Sequence, residues 1–238
     1  MARSISIVEY KVQQAAFFLQ MLREAGLDFF AAQCFTDAFA SAARSITLAM
    51  QAVMNDVPEF QAWYARRRAQ LRSDALARFF NEYRNASVHI GDSVIRAGSN
   101  RRGPDGSQIV HYYFMPIPDV TEVPTEDVVT VCSRHFATLL QVVFDAFYTF
   151  KYHVDDRWYL TKENFRKMGK TMEDALMELG FPEGWLDCGQ GIPESKKWRL
   201  LRKTQAVGCQ INDLFMSYLG RSIEGPDTAP ADEERGKP

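Results

Sequence analysis

The chain has few of the residues that bind metals or cross-link a fold. Its four cysteines, Cys34, Cys132, Cys188 and Cys209, are widely spaced, with no Cys-x-x-Cys pair and no histidine cluster beside them. That spacing argues against a zinc site and against a disulfide framework, and buried free thiols are expected. No carboxylate cluster is available to hold a metal, and no cofactor is implied. No uninterrupted apolar run approaches the roughly 20 residues needed to span a bilayer, so no membrane partner is expected. The first ten residues lack the continuous apolar core of a signal peptide, which gives a cytoplasmic reading. A formal charge of −2 excludes a wholly basic nucleic-acid binder but not a local basic face. What is present is ordinary in apolar content, at 46%, and rich in phenylalanine, with 17, which points to an aromatic core.

Apolar residues recur at helical spacing from Ile5 to Arg23 and stop at Gly26. Asp28 is placed to cap a second helix running to about Asn55, whose many alanines suit the centre of a bundle. Asp56-Val57-Pro58 restarts a third helix, expected to run unbroken from Pro58 to His89 with Trp63, Leu71, Ala75, Leu76, Phe79, Phe80 and Tyr83 as its buried stripe. Arg66, Arg67, Arg68, Arg72, Arg78 and Arg84 make this helix basic. Such a run is either a solvated face paired with acids elsewhere or a phosphate-binding surface.

After Gly91 the signal changes. Ser93–Ala97 and Ser107–Phe114 are β-branched and aromatic, and they flank a turn-rich loop from Gly98 to Gly106. This predicts a β-hairpin at about 93–115 with a basic tip at Arg101 and Arg102. Prolines keep residues 116–124 out of a helix. Thr125-Glu126-Asp127 opens a fourth helix, the most apolar segment of the chain. A fifth helical piece is expected from Thr161 to Leu179, with a capping pattern at Thr171-Met172-Glu173-Asp174, and a sixth from Glu194 to Leu219. Residues 220–238 have the composition of a disordered tail. The fold class is mainly α with one small hairpin.

The chemistry gathers in Arg84-Asn85-Ala86-Ser87-Val88-His89. Cleavage of RNA by its own 2′-hydroxyl requires a base, an acid and positive charge on the phosphate. Histidine titrates near neutrality, and arginine grips phosphate through paired N–H groups. Five helical positions turn the side-chain direction by roughly 140°, so Arg84 and His89 do not stack on one face. One copy makes a sparse site, and a two-fold dimer would supply two of each group. The structural alternative pairs Arg84 with Glu82 or another acid, uses Asn85 as a helix cap and buries His89 against a carbonyl.

This stretch resembles the arginine–polar–three–histidine signature of HEPN domains, over roughly Ile5 to His153. The resemblance implies an up-and-down helical bundle over residues 1–156, interrupted by the hairpin; it does not cover the carboxy-terminal third, where the helical pattern itself gives an extension at 157–219. It also implies a metal-independent endoribonuclease of a toxin or phage-defence system, acting as a homodimer on RNA and answering to an antitoxin or defence partner. Arg84, Asn85 and His89 would be catalytic. The charge pattern itself, apart from the resemblance, makes Arg66, Arg67 and Arg72 of the basic helix candidates to contact the RNA backbone, and Arg101 and Arg102 of the hairpin either do the same or form a solubilising loop. One departure is Gly91, where modified members of that family carry tyrosine. The alternative is a non-catalytic module that binds RNA or a protein through the arginine-rich helix. A ligand-binding regulator ranks last. Of the other histidines, His135 is expected to be packed or solvated, with facing the same groove as the alternative; His111 is expected to face solvent or RNA, and His153 to have no catalytic role.

Overall fold

A computed structural model describes residues 4–90, 93–106, 108–116, 120, 122–186 and 191–227, with the side chains of 88–90 left out. The chain is mainly helical with one two-stranded antiparallel hairpin, and it divides into two compact units, 6–142 and 143–238 together with 1–5. The division falls inside a continuous helix.

In the first unit α1 (Ser6–Glu24) lies along α2 (Phe29–Met54). Asp28 caps α2 as expected, its carboxylate accepting from the Ala31 amide at 2.9 Å. The third helix is two. α3 (Phe60–Ser73) stops at Asp74, whose own N–H bonds the Gln70 carbonyl at 3.1 Å. The Asp74 carboxylate accepts from the Ala77 amide at 2.7 Å and so begins α4 (Ala75–Ile90). An aspartate that satisfies groups on both sides of itself ends one helix and starts the next.

The hairpin also differs from expectation. β1 (Ile95–Arg102) and β2 (Gln108–Phe114) pair from Ile95↔Phe114 to Arg102↔Gln108. Arg101 and Arg102 are therefore exposed ladder residues rather than a loop tip. The cross-strand bonds hold what turn-forming composition alone would have released.

α5 (Val128–Thr149) is the most apolar helix. It is long and apolar enough to cross a membrane, yet 56% of its apolar window is buried within the protein, as in a core helix. In the first unit its Phe136 meets Phe39 of α2, which meets Phe80 of α4, with ring centroids 6.4 and 5.8 Å apart. Phe114 of β2 stands edge-on to Phe79 at 4.8 Å. Five of the phenylalanines, Phe39, Phe79, Phe80, Phe114 and Phe136, thus join α2, α4, α5 and the hairpin.

In the second unit the expected fifth and sixth helices are each broken. After α6 (Lys151–Val154) and α7 (Asp156–Tyr159) come α8 (Lys162–Lys167) and α9 (Met172–Glu178), separated at Gly169, where φ is +69°. The Thr171–Asp174 capping box forms as its spacing predicts. α10 (Glu194–Gln205) and α11 (Asn212–Leu219) are separated by an extended stretch around Gly208. Phe165, Leu176, Trp198 and Leu201 form the buried cluster of this unit. Of the thiols, Cys132 is buried, but Cys34 is exposed and Cys209 half-buried, so burial holds for one of the three described. Cys188 lies outside the described residues.

Candidate functional site

The arginine-rich helix does not present one basic face. Arg67 lies over the Trp63 ring, 5.4 Å from its centroid, and donates to Gln70 at 3.1 Å. Arg66 is exposed on another side of the helix. Arg68 and Arg72, four positions apart and so on one face, open onto a cavity of about 520 Å³ between α2, α3 and α4. Arg44 of α2 and Arg78 of α4 reach the same cavity. Arg44 donates to the Thr47 hydroxyl and Arg78 to the Ser73 carbonyl. No ion pair engages any of these four among the described residues. Glu82 is the single carboxylate in the lining.

The break at Asp74 is what allows this convergence. In an unbroken helix Arg78 would follow Arg72 by six positions, a turn of roughly 600°, which leaves the two about 120° apart. The redirected chain brings both onto one groove. Of the residues expected to contact RNA, the groove gathers only Arg72. Arg44, embedded in an alanine-rich helix, carried no sequence signal beyond its charge.

His135 of α5 also lines the cavity. Its ring packs flat on Phe80, with centroids 4.2 Å apart and planes 11° from parallel, and its Nδ1 has no hydrogen-bond partner. Burial pushes its pKa down to about 4, against a weaker upward pull from Asp74, so the imidazole is neutral at pH 7. It is indeed packed, as expected, but against the wall of a cavity.

Arg84 and Asn85 lie apart from this groove. Arg84 is half-buried and donates to the exposed Asn85 side chain at 3.3 Å, rather than pairing with Glu82. His89 is on the last turn of α4, and its side chain lies outside the described residues. The adjoining face of α4 has a structural use. Tyr83 is fully buried and donates a short hydrogen bond to Asp37 of α2, and Ser87 bonds the same carboxylate. Burial raises the Asp37 pKa, and these hydrogen bonds partly offset the rise. His111 of β2 faces Asp127 at 3.5 Å. Among the described residues no group of three or more His, Cys, Asp or Glu side chains is arranged to hold a metal.

The family model that matches this chain is that of bacteriophage lambda protein ea47, over residues 21–125, somewhat less than half of its length. Its span takes in α2, α3, α4 and the hairpin, and with them all four groove arginines. This overturns the HEPN resemblance, because Arg84–His89 lies inside a segment that matches a different family. Three residue types at set offsets near a helix end are a weak constraint, which many helical chains satisfy. No curated protein and no solved structure gives a match.

Proposed function

We propose that this chain is an RNA-binding helical module that holds the backbone of a single strand in the α2–α3–α4 groove. One observation carries the reading: Arg44, Arg68, Arg72 and Arg78 meet at one concave surface with no carboxylate among the described residues in an ion pair with them. A solvated basic face would be laced with acids, whereas guanidinium groups left free are available to phosphate. The groove favours a single strand over a duplex because it is concave and partly apolar, and unstacked bases need such a surface. The similarity to a bacteriophage protein supports a phage setting for this activity.

Fluorescence anisotropy with a labelled single-stranded RNA in chelator tests this reading. Four phosphate contacts give a log–log salt slope of roughly −3, from about −0.7 per phosphate neutralised. The double variant Arg68→Gln/Arg72→Gln is expected to flatten that slope by about 1.4, while Arg101→Gln/Arg102→Gln leaves it unchanged. Equal binding by wild type and the Arg68/Arg72 variant would end the proposal. The recovered RNA is run on a denaturing gel, where intact RNA is the expected result. Cleavage abolished by His89→Ala would instead make the module a ribonuclease.

A further inference from the structure

The groove has a floor as well as a basic rim, and the two differ in chemistry. Ala40 and Ala43 of α2, Phe80 of α4 and Leu139 of α5 give it an apolar surface. Gln51 also lines it, but its amide already donates to the Thr47 carbonyl and the Tyr64 hydroxyl, at 3.1 and 3.0 Å. Two lining residues carry hydrogen-bonding groups without a partner among the described residues: the exposed Asn81 amide and the His135 Nδ1, which is itself buried.

An unpaired ring nitrogen in a protein interior calls for an explanation, and here the ring bearing it is part of a cavity wall. Because the ring is neutral, it suits an uncharged hydrogen-bonding edge rather than a phosphate. A phosphate has its own place among the arginines. An apolar floor with two free hydrogen-bonding groups beneath a guanidinium rim matches a planar heterocycle attached to a phosphate, and about 520 Å³ is ample for one such unit.

We propose that this cavity seats one nucleobase against Phe80, His135 and Asn81 with its phosphate on the arginine rim, so that the chain binds a nucleoside 5′-phosphate as a unit. The unit is either a free nucleotide or one residue of a strand. The inference rests on the groove's reading as a phosphate-binding surface, and the two fail separately.

Calorimetric titration of the full chain with uridine or adenosine 5′-monophosphate, against ribose 5-phosphate, decides it. At least one nucleotide is expected to bind on the order of tenfold tighter than the sugar phosphate, the worth of one seated base. Asn81→Ala, at an exposed position that leaves folding intact, is expected to remove that preference while ribose 5-phosphate binding stays unchanged. His135→Leu, which keeps the apolar packing, is expected to do the same, and Arg72→Gln to weaken both ligands together. Equal binding of nucleotides and ribose 5-phosphate by wild type overturns the proposal, as does a preference that survives both Asn81→Ala and His135→Leu. A chain that discriminates nucleotides but does not retain an RNA strand upholds the base site and removes the RNA reading. A chain that binds RNA with no base preference does the reverse.

Discussion

Two buried polar side chains in the first unit respond differently to substitution and to pH. Tyr83 donates to a carboxylate that has been drawn out of water, so Tyr83→Phe leaves Asp37 with one fewer donor at no change in volume. A loss of about 1 kcal/mol in urea unfolding is expected, the usual worth of one hydrogen bond, because Ser87 still bonds the half-buried carboxylate. His135 acts through protonation. Its folded-state pKa of about 4 lies below the ordinary 6.5, so the unfolded chain binds the proton more readily. Stability from this residue is fully present above pH 6.5 and is lost as pH falls from there toward 4. Between pH 7 and pH 5 the loss is about 2 kcal/mol by linkage, and it should be missing from the same comparison on His135→Leu. His135 carried no such signal in the sequence, because its neutrality comes from burial under elements far from it in the chain.

At the scale of the element, the decisive feature is the Asp74 junction. Asp74→Ala removes the cap of α4 and is expected to cost about 1 kcal/mol, read by thermal or urea unfolding. It should also weaken RNA retention, since the cap fixes where Arg78 points relative to Arg68 and Arg72. The sequence contained a cap-forming residue at this point, but Ser73-Asp74 stands between two good helical runs with no glycine or proline. An aspartate costs little within a helix, so local propensity nearly balances the two outcomes and packing decides between them. The same holds for α10 and α11. By contrast, Asp28 and Thr171 formed the caps expected of them, because a cap needs only neighbours within a turn.

Across the whole molecule the net charge of −2 hides strong local contrasts. In the first unit four arginines with no ion pair among the described residues share a groove. In the second, Arg157 is held by both oxygens of fully buried Asp155, at 3.0 and 2.7 Å, and caps the Ile223 carbonyl at 3.1 Å. Gly208 and Gly225 lie against the Arg157 side chain so closely that a Cβ would meet its guanidinium carbon at 3.0 Å and its Cδ at 3.1 Å. Arg157→Ala strands a carboxylate in the interior and is expected to cost about 3–5 kcal/mol, seen as a lowered denaturation midpoint. Arg72→Gln, at an exposed position, should leave that midpoint nearly unchanged while weakening RNA binding.

The sequence by itself determined the helical class, the hairpin, the apolar core helix and the local caps, since each depends on periodicity or on neighbours a few residues apart. The tertiary structure decided which arginines act together. Arg44, Arg68, Arg72 and Arg78 come from three helices and converge because one of the expected helices breaks at Asp74, a choice made by packing rather than by propensity. It also decided that His135 is neutral and unpartnered at the wall of their groove, because burial is a property of the assembled fold. Arg84 and Asn85, conspicuous in one dimension, lie outside that groove.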